Sequence, residues 1–356
     1  MTDRLDEYRR KRDPRRTPEP VPRSKPAPSA GGRFVIQQHH ARSLHWDVRL
    51  ERDGVLVSFA VPRGLPRDRN RNNLAKHTED HPLEYLDFAG EIPAGEYGGG
   101  QMKIHDTGTY ETDKWRPDEI SVTFHGERTS GRYVFFQTGG NDWMVRRMDP
   151  SEPGWEAMPD AVEPMLATAA AALPPDDADW GYELAWAGRR TLTYVSGGRV
   201  RLVADGADVT SWYPELRPLG AALAPIEAVL DGEIVAFDGT VVSPALLERR
   251  GLPRDAAAAR RAAERTPVQF LAYDLLWLEG HSTVEVVRYA ERRELLEGLS
   301  VTGDHWQTPP YFAGGGEFAL EAAAAQALPG IVAKRLDSPY LPGHRSKLWR
   351  AIKTPN

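Results

Sequence analysis

The sequence predicts a multidomain chain, with an all-β barrel over residues 34–149 followed by an α+β domain over residues 164–356. Three observations predict it. The chain has 356 residues, enough for two domains of ordinary size. Residues 34–149 hold short runs of alternating or β-branched residues between Gly-rich turns, with almost no helical period. Beyond a proline-rich stretch, strand-like runs alternate with segments dominated by Ala, Leu, Arg and Glu.

The elements follow in order. Residues 1–33 carry six prolines between Pro14 and Pro28 and no apolar periodicity, so they read as a disordered basic arm. Phe34–His39, Leu44–Glu51 and Val55–Val61 read as strands, the last two joined by Asp53-Gly54 hairpin chemistry. Lys103–His105, Ser121–His125 and Tyr133–Gln137 carry further strand signals. Residues 150–163 form a proline-rich linker. In the second domain Arg199–Ala204, Ala228–Phe237, Val268–Leu276 and Gly330–Arg335 read as strands. Glu248–Arg265 and Val287–Glu297 read as helical.

Composition narrows the chemistry. There is no cysteine, which excludes disulfides, thiolate metal sites and cysteine nucleophiles, so any metal must be held by nitrogen and oxygen. Residues 1–16 are charge-dense without an apolar core, and no stretch approaches 18 apolar residues, so neither a signal peptide nor a membrane span is expected. The net charge of −6 is unevenly spread. The arm has ten Lys/Arg against five Asp/Glu, residues 34–149 have 15 against 18, and residues 150–356 have 20 against 28. The arm is therefore the expected phosphate-contacting segment, and the acidic second half is poorly suited to nonspecific nucleic-acid binding.

Seven of the ten histidines lie between residues 39 and 125, concentrated in QQHHARSLHWDVRLE, residues 37–51. Strand alternation puts His45, Asp47 and Arg49 on one face and turns Trp46, Val48 and Leu50 toward a core. Neighbouring same-face Cα atoms are about 6.6 Å apart, so His45 and Asp47 can reach one ion and His39 can complete the set. Two histidines and a carboxylate form a facial site with open positions for water and a phosphate oxygen. Arg49 on the same face is suited to grip phosphate. Arg63 in VPRG, and His81 and Tyr85 in DHPLEY, follow loop signals where reactive groups are commonly presented. His81 reads as a general acid, a charged phosphate donor, or a loop histidine bonded to backbone.

These residues carry a resemblance. The segments YRRKRDPRRTPEP, FVIQQHHARSLHWDVRLE, SFAVPRG, HTEDHPLEY, GEIPAGEYGGG and NDWMVRRMD occur in that order over residues 8–149. Together they resemble the 3′-phosphoesterase module of the bacterial ATP-dependent DNA ligase D family. The resemblance implies a β-barrel that removes 3′-phosphates and 3′-ribonucleosides from DNA ends, with Mn2+ or another divalent metal on His39, His45 and Asp47. It implies catalytic roles for Arg49, Arg63, His81 and Tyr85, Arg63 standing where the family usually has lysine. Asn73 stands where the family usually has arginine, with Arg71 two residues earlier.

Residues 163–353 resemble the nucleotidyltransferase domain of the same ligases, through EPMLA, WGYELAWAGRR, AVLDGEIVAFD, FLAYDLLWLEG and PGIVAKRLDSPYLPGHRSKLWRAIK. That family attacks ATP with the lysine of KxDGxR. Here the motif is Ala185-Trp186-Ala187-Gly188-Arg189-Arg190, so the nucleophile position is Ala185 and the aspartate position is Ala187. Alanine offers no nucleophilic atom. Pro329 replaces a motif glutamate and Ala351 a motif lysine. Glu183, Arg190, Glu233, Lys334 and Lys353 survive as a degenerate nucleotide-binding set, which leaves ATP binding open while excluding covalent transfer through residue 185. The chain is also expected to lack the OB domain of these ligases. The resemblance implies DNA 3′ ends as substrate, end-joining partners such as a Ku-like factor, a polymerase and a ligase, and a cytoplasmic, nucleoid-associated location. Three other readings are a non-catalytic DNA-end scaffold, a ligase using another lysine, and a facial-triad iron oxygenase, whose ligands match but whose surrounding arginines do not.

Overall fold

The computed structural model describes residues 3–26, 29–151 and 153–355. Pro28 of the arm, Glu152 of the linker and the terminal Asn356 lie outside the described residues. The chain divides into two compact units, residues 1–153 and 154–356.

In the first unit nine strands follow one another: β1 (Arg33–His40), β2 (Leu44–Arg52), β3 (Val55–Val61), β4 (Asn72–His77), β5 (Gly90–Ile92), β6 (Gly100–Trp115), β7 (Glu119–Gly126), β8 (Ser130–Gly139) and β9 (Asp142–Arg147). Their order is β1-β2-β3-β4-β9-β8-β7-β6, and β1 also pairs β6, so eight antiparallel strands close a barrel while β5 flanks β6. Closure removes the sheet edges. The β2–β3 hairpin turns on Asp53 and Gly54, both at positive φ, the twist that a two-residue hairpin needs. One face of the barrel wall packs aromatics together: Phe34 on Phe124, and Phe59 on Phe135 and Trp143. β4, β5 and β9 carry too little apolar signal to be read from sequence, and β6 runs far beyond Lys103–His105. Their exposed faces are polar, and pairing inside a closed sheet holds them.

The arm is not a disordered segment over its described residues. Asp6–Arg10 is a short helix, and Leu5 and Tyr8 are buried with Val35, Val55, Leu56 and Tyr85. Seven of its ten cations sit against carboxylates: Arg4, Arg9, Lys11, Arg12, Arg15, Arg16 and Arg33. A segment without periodicity is ordered by ion pairs and by one buried tyrosine, and most of its positive charge is neutralised within the unit. Against the expectation of a free basic arm, most of its cations are thus paired within the unit.

The second unit has two sheets. One orders Leu166–Ala170, Arg345–Lys353, Gly330–Arg335, Trp180–Leu184 and Phe312–Ala313. The other is built around Arg189–Ser196, Ala228–Asp238 and Val268–Leu278. Helix Tyr289–Gly298 packs on Val268–Leu278, and helix Gly316–Ala325 packs on the first sheet, which makes the unit α+β as expected. The stretch Glu248–Arg265 is two helices, Pro244–Arg250 and Ala256–Arg265. Gly251 at φ 64° ends the first, and the Asp255 side chain caps the second by accepting from the Ala258 amide at 2.7 Å. The linker is not free either. Trp277 Nε1 donates to the Glu156 carbonyl, the Tyr194 hydroxyl accepts from the Val162 amide, and Met158 and Val162 pack on the second unit's core. No helix of the described residues is long and apolar enough to cross a membrane.

Candidate metal centre and the degenerate nucleotide pocket

Register assembles the first site. In the β1–β2 pair His39 lies opposite His45, Gln37 opposite Asp47 and Val35 opposite Arg49; in β2–β3 Arg49 lies opposite Ser58. Pleating puts Gln37, His39, His45, Asp47, Arg49 and Ser58 on one face, with Trp46, Val48 and Leu50 on the other. Both faces are buried, since Asp47 is 6% and Arg49 2% exposed. Residues 79–88 and the arm cover the polar face.

His39, His45 and Asp47 each bring one potential ligand atom to within 4.8 Å of the others. His39 Nδ1 is 3.5 Å from Asp47 Oδ2, and His45 Nε2 is 3.6 Å from Asp47 Oδ1. The far nitrogens are tied to backbone. His39 Nε2–H donates to the Gly98 carbonyl at 2.8 Å, and His45 Nδ1–H to the Ser43 carbonyl at 3.1 Å. Those bonds select the tautomers that leave both lone pairs facing the carboxylate, the arrangement that orients histidines on a cation. Burial pushes the Asp47 carboxyl up, but the Arg49 charge and the two imidazoles outweigh it and hold the group well below the usual range.

Arg49 is anchored by three bonds: Nε to Gln37 Oε1 at 2.7 Å, Nη1 to Ser58 Oγ and Nη2 to Asp47 Oδ2, both at 3.0 Å. Its guanidinium lies over the Tyr85 ring. His81 is buried, and its backbone is fixed by a reciprocal bridge to Leu56. Its Nδ1–H donates to the Glu79 carbonyl at 2.8 Å, and its Nε2 faces Arg12 Nη2 at 3.4 Å. Burial and the Arg49 and Arg12 charges hold its pKa well below the usual value. These effects disfavour the charged form of His81, and its Nδ1 bond to backbone leaves Nε2 as the nitrogen that faces Arg12. Tyr85 is buried, donates its hydroxyl to Glu19 and has its pKa raised by burial. Arg63 is exposed in the loop after β3 and has no bonded partner among the described residues. Asn73 is buried and donates to the Gly64 carbonyl at 2.8 Å, a structural tie.

Sequence reasoning missed the arm's contribution. Arg12 donates through Nε to Glu19 at 2.6 Å and through Nη1 to Glu79 at 3.0 Å, and its guanidinium stacks on Tyr8. Tyr8 in turn packs edge-on against His81 and Tyr85. The available signal was the arm segment YRRKRDPRRTPEP, whose prolines masked an ordered path. Losing one carboxylate partner of a buried cation costs about 1–3 kcal/mol. Glu79→Gln is therefore expected to speed tryptic cleavage after Lys11 and Arg12 by about five- to a hundredfold, through more frequent opening of the arm. An unchanged cleavage rate would show that the arm is held by something else.

In the second unit, the amide of Ala185, the residue expected at the nucleophile position, is bonded to the Gly330 carbonyl at 3.0 Å. Ala187 keeps a left-handed φ of 56°, a conformation at ease for Asp, Asn or Gly. Gly188 donates its amide to Glu233 Oε2 at 2.8 Å, and a Cβ there would meet the Ile234 carbonyl oxygen at 2.5 Å, so only glycine fits. Burial raises the Glu233 carboxyl. Arg190 grips Asp231 with both Nε and Nη2. Lys334 Nζ is 2.7 Å from Glu183 Oε2 and lies over Trp349 and Tyr273, rings that Arg190 also approaches. Arg190 and Lys334 thus gather around Tyr273 and Trp349, with Glu183 on Lys334 and Glu233 near Arg190 and Glu183, whereas Lys353 is exposed on the neighbouring strand, opposite Gly330.

Residues 37–137 match the DNA Ligase D 3′-phosphoesterase domain. Residues 164–353, over half of the chain, match the ATP dependent DNA ligase domain. The chain belongs to the ATP-dependent DNA ligase domain family. This ligase-family chain is 43% identical, over 361 residues, to the multifunctional non-homologous end joining protein LigD of Mycolicibacterium smegmatis, covering 98% of the chain and 45% of that protein. It is 31% identical to LigD of Pseudomonas aeruginosa, covering 98% of the chain and 47% of that protein. The chain spans about half the length of the curated relatives it matches. A solved structure described as mycobacterial DNA ligase D complexed with ATP and MES is 37% identical, covers 55% of this chain and 61% of its own, and has a TM-score of 0.47. The two domain matches stand in one chain, the 3′-phosphoesterase domain first and the ligase domain after it.

Proposed function

We propose that the chain heals DNA 3′ ends as a divalent-metal-dependent phosphoesterase, removing 3′-phosphates and 3′-ribonucleosides for end joining, and that its ligase-family domain forms no covalent adenylate. One observation carries the first half: two histidines whose far nitrogens are fixed by backbone carbonyls converge on one buried carboxylate.

His39 Nδ1, His45 Nε2 and the Asp47 carboxylate fit a cation bound by nitrogen and oxygen, and manganese is the metal that the resemblance to the 3′-phosphoesterase family implies. When bound, such an ion supplies positive charge to a phosphoryl oxygen and acidifies a water ligand. The protein's own groups do the rest. Asp47 stays ionised beside Arg49. Arg49, held by Gln37 and Ser58, directs its guanidinium at charge developing on the phosphoryl group. Arg12 adds a second guanidinium beside His81. His81 Nε2 accepts a hydrogen bond or a proton, its other nitrogen already committed to backbone. Tyr85 supports Arg49 from below and is locked by Glu19. Arg63, exposed and unpaired, is free to meet the phosphate from outside.

In the second unit Glu183, Arg190, Glu233 and Lys334 are occupied with one another or with neighbours, which supports a binding role at most. The proposed substrates are broken or primer-template DNA ends, and the proposed partners are a Ku-like factor and separate polymerase and ligase activities. The test is purified protein with Mn2+ on 3′-phosphate and 3′-ribonucleotide primer-templates. Release of phosphate and of the terminal ribonucleoside is expected. Tight DNA-end binding without release from either substrate would replace the phosphoesterase with a scaffold.

A further inference from the structure

Seven of the arm's ten cations sit against carboxylates, and the first unit carries a second source of positive charge for a polyanion elsewhere. It is concentrated in the β3–β4 loop and the strand beside it. The loop, residues 62–71, reads PRGLPRDRNR, and Arg63, Arg69 and Arg71 are exposed. Its one acid, Asp68, is buried and accepts the Asn70 amide at 2.8 Å. Arg146 on β9 is exposed opposite Asn72 of β4.

Despite its length this loop is pinned at five points. Gly64 donates to the Val61 carbonyl and Arg71 to the Asp68 carbonyl. Asn70 closes on Asp68, and Asn73 donates to the Gly64 carbonyl. Arg146 Nε donates to the Arg69 carbonyl at 2.8 Å. Gly64 also lies flat on the Trp46 ring, with room for a Cβ only at 3.4 Å. Trp46 is the neighbour of His45 and pairs with Val61 at the loop's start. The basic ridge therefore begins one residue from the metal cluster and runs away from it along the barrel wall. A buried acid, an anchored backbone and outward arginines form a surface whose charge is kept for a partner. Arginine forks match phosphate oxygens.

We infer that Arg69, Arg71 and Arg146 form a duplex-DNA backbone surface that holds the phosphates leading up to the 3′ end. This deepens the phosphoesterase reading by naming where its substrate docks. Phosphates recur about every 3.4 Å of rise along each strand, so an end placed at the His39–His45–Asp47 cluster leaves its next phosphates over this ridge.

The test is the salt dependence of binding of the whole chain to a 3′-phosphate duplex, read by fluorescence anisotropy. Each phosphate contact contributes a slope of about 0.9 in log K against log salt. The variant Arg69→Ala/Arg71→Ala/Arg146→Ala is expected to lower the slope by about 2–3 units and to weaken binding roughly a hundredfold at 0.1 M salt. Arg69→Gln/Arg71→Gln keeps the Arg146 tie to the loop and is expected to lower it by about 2. The control Arg260→Ala/Arg261→Ala/Arg265→Ala removes the same charge from a helix of the second unit and should leave the slope unchanged. An unchanged slope in the loop variants overturns the surface, as does an equal loss in the control, which would mark a net-charge effect. His45→Ala separates the two readings: it keeps the slope while losing phosphate release. If the wild type releases no phosphate but the loop variants still lose slope, the chemistry fails and the surface stands.

Discussion

Asp47→Asn is expected to abolish metal-dependent release of 3′-phosphate, by at least about a thousandfold. Altering a group that merely supports a metal ligand costs about 10- to 100-fold, and Asp47 is placed as a ligand itself. The substitution keeps the shape of the side chain but removes the charge on which His39, His45 and Arg49 converge. It also leaves Arg49 buried beside a neutral amide, and an uncompensated buried charge costs about 3–5 kcal/mol. His45→Ala is therefore the companion variant. It removes one nitrogen from a half-buried position and leaves the Asp47–Arg49 pair intact. Two measurements separate chemistry from folding. Phosphate release reports the reaction. The rise in melting temperature on adding Mn2+ reports binding, since a ligand that binds only the folded state stabilises it. Both variants should lose release and the metal-induced rise, and His45→Ala should melt near the wild type without metal. Release by His45→Ala within threefold of wild type would remove the metal role assigned to this cluster.

Incubation of the wild-type chain with labelled ATP and Mg2+ or Mn2+ is expected to yield no covalent AMP adduct. The reason is the absence of a nucleophile. Alanine stands at residue 185, where the ligase-family motif places its lysine in the proposed alignment, and the lysines of residues 150–356 are Lys334, Lys347 and Lys353. Lys334 sits opposite Gly181, four residues along the strand from Ala185, or about 13 Å. Its ammonium is paired with Glu183 and lies 3.8 Å from Asp274. Lys353 is exposed on the neighbouring strand. The turn itself is preserved, since Gly188 still bonds Glu233 and Ala187 still takes the left-handed conformation. The loss thus concerns reactive atoms rather than backbone. An adduct stable to denaturation, mapped to any lysine of the second unit, would refute this.

The metal cluster was legible because strand alternation is a local property. Once residues 44–51 are a strand, His45, Asp47 and Arg49 must share a face, and the Asp-Gly turn and β1 follow from equally local signals. The β4, β5 and β9 strands were not legible, because their residues owe their conformation to partners far away in sequence. The arm was misread for the same reason. Arg12 meets Glu79 across 67 residues and Tyr85 meets Glu19 across 66, and no pattern within the arm encodes either contact.

The amino-acid order by itself determined which atoms exist for chemistry: two histidines and an aspartate at strand spacing, an arginine beside them, no cysteine anywhere and no lysine at residue 185. Those statements need only covalent structure and the two-residue period of a strand. Tertiary structure decided how the atoms are presented. It chose the histidine tautomers through the Gly98 and Ser43 carbonyls, buried His81 where its charged form is disfavoured, paired most of the arm's cations and left the β3–β4 loop as the outward basic ridge. Protonation, tautomer and free charge depend on burial and on neighbours brought together when the barrel closes, and that information resides in no single segment.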